Sequence, residues 1–301
     1  MNILIIGSQG FIGSHLVKYF LSENNQVTGC DLVENISSDY TYHKVSVLSP
    51  DFETVFSNQN FNVCINAAGS GNVGYSLEHP ISDFEANSII VSKILDTIRK
   101  QQPNCRYIQI SSAAVYGNPE SLPVPEDAAI QPLSPYGYHK WMSEIICMEY
   151  TRIYNIPVAV IRPFSVYGLG LKKQIFWDIC QKTRRQKDIQ LFGTGKETRD
   201  FIHIGDLVKS VALIIEKSSF NGDVYNIASG KETKISEIGE LFEKILNNQI
   251  KISFSGSVKK GDPGNWKADI SKITELGFIP EKPLKEGLLD YINWFNANFN
   301  G

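Results

Sequence analysis

Through the first half of the chain, short aliphatic and β-branched runs alternate with longer stretches of helical period. ILII (3–6), QVTGC (26–30), NVCIN (62–66), RYIQI (106–110) and VAVI (158–161) are the strand candidates. Helical patterns over about 11–22, 82–101 and 136–154 separate them. Apolar strands joined through helices, and covered by them on both faces, predict an α/β fold built on a doubly wound parallel sheet.

After Arg162-Pro163 the pattern loosens. Helices are expected near 173–186, 205–217, 235–247 and 283–297, and short strands at IQLF and DVYNI. The stretch SGSVKKGDPGN separates the last two helices. This part has an α+β pattern too small for an independent enzyme. It reads as a cap over the carboxyl ends of the sheet, where ligands of open α/β folds sit. The expected division is residues 1–164 with about 204–228 in the nucleotide-binding unit, and 165–203 with 229–301 in the cap.

Composition narrows the partners. The chain has 301 residues, 42% of them hydrophobic and 20% charged, with a formal net charge of -3, which gives no broad attraction for nucleic acid or an anionic membrane. The densest basic run, KTRRQK (182–187), reads as a solvated helix face. Cys30, Cys64, Cys105, Cys147 and Cys180 are widely spaced and form no CxxC, as expected of reduced core residues. The start MNILIIGSQG lacks the pattern of a secretory signal, and no apolar run approaches the ~20 residues of a membrane span. A cytoplasmic protein is expected. His15, His43, His79, His139 and His203 have no metal-ligand spacing, so no metal is expected.

Gly7, Gly10 and Gly13 follow ILII and open the next helical pattern. One glycine permits the tight turn, a second lets a pyrophosphate approach the backbone, and the third lets helix and strand pack closely. The helix N-terminus then favours negative charge. Eighteen residues beyond Gly13, at the end of the next strand, Asp31 can accept hydrogen bonds from ribose hydroxyls and would repel the extra phosphate of NADP. The turn therefore predicts NAD.

Tyr136 and Lys140 lie four apart in SPYGYHKWMSE, on one face of a helix, and Ser111 and Ser112 end the strand of IQISSAAVYG. With GSQGFIG (7–13), NAAG (66–69), YGYHK (136–140), RPFSVYG (162–168) and RDFIHIGD (199–206), the chain resembles the extended short-chain dehydrogenase/reductase family. The resemblance is to its NAD-dependent nucleotide-sugar epimerase and dehydratase branch, which has a Rossmann fold. It implies that Tyr136 is the acid/base, that Lys140 stabilises its phenolate, and that Ser112 bonds the reacting oxygen. It also implies an NAD site formed by Gly7, Gly10, Phe11, Ile12, Gly13, Asp31, Ala67, Ala68, Gly69, Asn87, Tyr136, Lys140 and Pro163. Substrate contacts implied in the same way are Ser111, Ser112, Ser165, Phe192, Arg199 and Lys259. Relatives that eliminate water carry Asp-Glu after the catalytic hydroxyl, where this chain has Ala113-Ala114.

Three departures bear on the ligands. Ser165 stands where many epimerases have Asn, Asn66 replaces a frequent His, and Ser46-Val47-Leu48 lacks the usual adenine-facing Asp. The resemblance implies a 4-epimerase acting on a nucleoside-diphosphate sugar, with NAD recycled in each turnover. A 4-keto nucleotide-sugar reductase or dehydrogenase, and a catalytically silent NAD-binding regulatory protein, remain as alternatives. The two long helices near 82–101 and 138–154 pair across a two-fold axis in this family, so a homodimer is expected.

Overall fold

Seven parallel strands form the main sheet of the computed structural model, which describes residues 1–35, 39–46, 50–257, 261 and 263–299. They are β1 (Asn2–Ile6), β2 (Gln26–Asp31), β3 (Thr41–Lys44), β4 (Val63–Asn66), β5 (Arg106–Ile110), β6 (Val158–Pro163) and, much later in the chain, β10 (Asn221–Ile227). Across the sheet the order is β10-β6-β5-β4-β1-β2-β3. The order reverses between β1 and β4, the place where open α/β sheets take ligands at the carboxyl ends of the strands.

The run ILII is continuous because both of its faces are buried. Ile3 and Ile5 join the core on one side, with Leu16, Leu207 and Val211, while Leu4 and Ile6 join the other, with Val91, Ile94 and Ile98. The first core is covered by α1 (Phe11–Ser22) and α8 (Ile204–Lys217). The second is covered by α2 (Phe52–Asn58), α5 (Ile90–Gln101) and α6 (Pro135–Tyr154).

The expected helix over 82–101 is interrupted. A short α3 (Val73–Glu78) is followed by α4 (Pro80–Phe84), a π-helical turn over Glu85–Ile89, and only then α5. Such a turn adds a residue to the helical circuit and re-aims the side chains on it. Here it buries Asn87 and Ser88. The strand β3 and the helices α2 and α3 are further additions to the predicted set.

The remaining strands are β7 (Ser165–Tyr167), β8 (Asp188–Leu191), β9 (Thr198–His203), β11 (Glu232–Lys234) and β12 (Lys251–Phe254). They make a three-stranded sheet, β11-β9-β7, and a pair, β12-β8. With α7 (Gln174–Thr183), α9 (Ile235–Ile245) and α11 (Leu284–Phe299) they enclose a separate core rich in rings, including Tyr167, Phe176, Phe201, Phe242, Tyr291 and Phe295. A short α10 (Ser271–Glu275) contacts β10. All five cysteines are buried and free.

Candidate active site

The glycine turn is shaped by close contact. Gly7 has φ +81°, open to glycine at little cost, and a Cβ there would lie 2.6 Å from the Ala68 amide nitrogen. A Cβ on Gly13 would lie 2.0 Å from the Gly7 carbonyl oxygen. Gly10 caps α1 without a side chain, so the first-turn N–H groups are left for an anion. Phe11 and Ile12 open this helix and pack against the core.

At the end of β2, Asp31 Oδ2 accepts from the Gln9 amide at 2.8 Å and Oδ1 from Leu32 at 2.7 Å. A carboxylate offers about four lone-pair sites, so it retains acceptor capacity for ribose hydroxyls. The buried Ser8 hydroxyl has no partner among the described residues. A cradle with no room for Cβ atoms, an uncapped helix start and a fixed carboxylate together fit a dinucleotide.

The opposite wall follows β4. Asn66 Oδ1 accepts from Ala68 N at 3.1 Å, while its amide donates to Tyr107 Oη and Gln109 Oε1. Asn66 thus ties the Ala67–Ala68–Gly69 turn to β5. Gly69 has φ +129°, and its Cβ would fall 2.4 Å from Asn87 Oδ1 and 3.3 Å from Lys140 Nζ. Asn87, brought inward by the π turn, has both amide atoms buried and without a partner among the described residues.

The sequence Ser-Pro-Tyr-Gly explains how α6 delivers its side chains. Ser134 Oγ accepts from the Gly137 amide, and Pro135 takes the first helical position, where no N–H is needed. Tyr136 and Lys140 then lie one turn apart. Gly137 allows the head of α6 to meet the turn Ala113–Val115; a Cβ would stand 2.7 Å from the Ala114 carbonyl. That approach brings Tyr136 beside Ser112, whose Oγ accepts from Ala114 N at 3.1 Å. Lys140 Nζ donates to the Ile110 carbonyl at 3.0 Å.

Burial dominates the electrostatics. It pushes the Tyr136 phenol up to about 12; the nearby Ser112 hydroxyl opposes this and the Asp83 carboxylate adds to it. Burial drives the Lys140 ammonium down to about 8, with Asp83 opposing and Lys173 assisting. The phenol therefore needs added positive charge before it can act as a base at neutral pH.

Ser111 does not share this cleft. It is buried and donates to Glu144 Oε1, and Glu144 is in turn paired with Arg162 through Nε at 3.0 Å and Nη2 at 2.7 Å. Arg162 reaches the Tyr116 hydroxyl at 2.7 Å, which donates to Asn226 Oδ1. Ser111, expected to contact substrate, has its side chain in this interior network, which joins α6, β6 and β10. The sequence pattern named neither Glu144 nor Tyr116, because polar residues on a helix and before a glycine read equally as surface.

Pro163 ends β6 beside Phe164, and Ser165 begins β7. Arg199 on β9 donates through Nη1 to the Thr198 and Gly264 carbonyls, with its guanidinium over the Trp266 ring. Phe192 is exposed just beyond β8. Lys259 and the pair Val47-Leu48 lie outside the described residues. Lys173, missed in the sequence, stands before α7 with its ammonium 3.2 Å from the Gly71 carbonyl, just past the Gly69 turn. A lone lysine before a helix has no pattern to mark it. Among the described residues no His, Cys, Asp or Glu cluster could hold a metal.

A parallel sheet with a glycine turn, and a Ser-Tyr-Lys cluster across its crevice, define a dinucleotide-dependent enzyme. The chain belongs to the NAD-dependent epimerase/dehydratase family, whose model matches residues 3–228, and its cofactor is NAD. It is 32% identical, over 98% of its length and 99% of the other, to a Methanocaldococcus jannaschii protein provisionally named a UDP-glucose 4-epimerase. The structure is similar to the Bacillus cereus UDP-glucuronic acid 4-epimerase in complex with UDP-glucuronic acid and NAD, with a TM-score of 0.91, 27% identity and coverage of 99% and 100%. It is equally similar to a Thermotoga maritima UDP-glucose 4-epimerase with UDP-glucose, with a TM-score of 0.91, 27% identity and 99% coverage of both chains.

Proposed function

We propose that the protein is a 4-epimerase of a nucleoside-diphosphate hexose. The observation that carries this reading is the convergence of Ser112, Tyr136 and Lys140 on the crevice between the Gly7 and Gly69 turns, in a chain similar over its length to UDP-sugar 4-epimerases. Bound NAD supplies a hydride acceptor that returns the hydride, and a positive ring that favours the Tyr136 phenolate. Tyr136 removes the proton of the sugar C4 hydroxyl, Ser112 bonds the same oxygen, and Lys140 stabilises the phenolate. After the keto sugar turns over, Tyr136 returns the proton to the oxygen on the opposite face. Ala113 and Ala114 offer no group for eliminating water. Arg199, held at the edge of β9, has the guanidinium suited to a diphosphate.

Incubation with UDP-, dTDP-, CDP- and GDP-hexoses, and with UDP-glucuronic acid, tests the reading by proton NMR. Inversion at C4 without net NADH formation is expected. Stoichiometric consumption of added NADH would instead establish the reductase reading. Tyr136→Phe should abolish turnover with NAD still bound; substantial residual turnover would remove its acid/base role.

The proposal extends to a homodimer through α5 and α6. Tyr138, Met142, Ile145 and Met148 are exposed on α6, and Ile89 is exposed just ahead of α5. These residues offer a self-complementary apolar face. Light scattering showing a monomer at micromolar concentration would overturn it. Five buried free thiols support a reducing, cytoplasmic location. Among the described residues no helix is long and apolar enough to cross a membrane.

A further inference from the structure

The five buried side-chain atoms without a partner among the described residues are unevenly spread. Three of them, Asp83 Oδ1 and both amide atoms of Asn87, lie on the inward face of α4 and the π turn, against the head of α6. Asn87 borders the cofactor crevice beside Gly69. Asp83, one turn earlier and fully buried, is used by none of the steps above.

Its other oxygen, Oδ2, lies 2.6 Å from Nδ1 of His139, the residue just before Lys140. With the carboxylate ionised, the ring N–H is the donor. His139 is itself fixed, since its carbonyl accepts from Ser88 Oγ at 2.9 Å and its ring packs edge-on against Phe84. A carboxylate out of water is costly unless a charge and hydrogen bonds offset it. One Asp83 oxygen has the histidine; the other has no donor among the described residues. The cation nearest along the helix is the Lys140 ammonium, which among the described residues donates to the Ile110 carbonyl and has no carboxylate in contact. Burial disfavours such an ammonium, and an anion nearby opposes that.

We propose that the Asp83–His139 pair is the buried counter-charge of the acid–base couple, with Asp83 a positioning residue that keeps Lys140 an ammonium and sets the pH range in which Tyr136 works. Asp83 favours the ammonium of Lys140 and the neutral phenol of Tyr136, so it moves both ionisations toward higher pH. The other charged groups that act on Lys140 are Lys173, from the head of α7, and Glu144, one turn along α6 and neutralised by Arg162. Glu78 of α3 and Glu85 of the π turn point to solvent. Asp83 is the buried carboxylate at this site that no guanidinium or ammonium contacts directly.

The inference rests on the reading of Tyr136 as the acid/base, and the test separates the two. The holoenzyme is assayed across pH for epimerisation, as kcat/KM, with Tyr136→Phe measured first. Activity remaining in that variant removes the acid/base reading. With that variant inactive, Asp83→Asn, which retains the shape, should move both limbs of the pH profile to lower pH by roughly one unit. His139→Gln keeps a donor to the carboxylate and should leave the limbs at their wild-type positions. Should the Asp83→Asn protein not fold, Asp83→Ser removes the same charge with a smaller side chain and should give the same displacement. A merely structural role would lower stability or kcat with the limbs unmoved. Unmoved limbs in a folded, NAD-binding Asp83 variant, or an equal displacement in His139→Gln, would overturn the proposal.

Discussion

Gly13 is pressed against Gly7, with the position of its absent Cβ 2.0 Å from the Gly7 carbonyl oxygen. The obstacle is backbone at the end of β1, which cannot rotate away. Gly13→Ala should therefore displace α1 from the strand. The expected cost is about 1–3 kcal/mol of overpacking, together with loss of NAD binding. Thermal melts with and without NAD check this: the variant should melt lower and lose the NAD-dependent rise.

Asp31 ends β2 and holds the Gln9 amide of the glycine turn. Asp31→Ser removes the charge that repels a 2′-phosphate and leaves a weaker acceptor. NAD affinity should fall about tenfold or more, and the NAD-over-NADP preference should narrow. Titration of both nucleotides by calorimetry decides it. An unchanged preference would show that discrimination lies elsewhere in the adenosine pocket.

Glu144 and Arg162 are both about 6% exposed in their side chains and joined by two short contacts. Removing the carboxylate leaves a buried guanidinium unpaired, so Glu144→Ala should cost about 3–5 kcal/mol in stability. Denaturant unfolding would measure it. The double change Glu144→Leu with Arg162→Met, which removes both charges, should recover much of that loss.

Alkaline pH should unfold the protein through its thiols. Burial pushes Cys30, Cys105 and Cys180 from 9.0 up to about 12, and raises Cys64 and Cys147 well above the ordinary range. In the unfolded chain these thiols lose protons near 9, whereas in the fold they keep them. The folded state thus binds more protons between about 9 and 12, so stability is full below that window and falls as pH rises through it. Chemical unfolding from pH 8 to about 11 tests the sign. Cys64→Ala should flatten the slope.

The strands ILII, NVCIN, RYIQI and VAVI were legible because each is buried on both faces and carries no competing pattern. The edge strand β3 and the seven-residue helix α2 were not. TYHK is half-exposed and has no apolar alternation, and Phe52, Val55 and Phe56 are too few to establish a period. The long pattern over 82–101 predicts a single helix because a π turn leaves no mark in composition. The positions of Asp31 after β2 and of Tyr136 and Lys140 one turn apart follow from the local pattern, while the roles given to Tyr136 and Lys140 come from the family resemblance. Ser111 and Ser112 were both placed at the site, since adjacent residues at a strand end cannot be told apart without knowing which way each side chain points.

Local chemistry fixed in the sequence was thus the glycine turn, the acidic residue after the second strand, the helix start that holds Tyr136 and Lys140 one turn apart, and a continuous apolar core. Those depend on backbone sterics, capping and hydrophobic period, which act over a few residues. Tertiary structure alone decided that Ser112 meets Tyr136, that Ser111 turns to Glu144, and that Asp83 and His139 come together beside Lys140 across 56 positions of chain. These contacts join segments remote in sequence. Their strength comes from exclusion of water, which exists only once the whole sheet and its helices have packed.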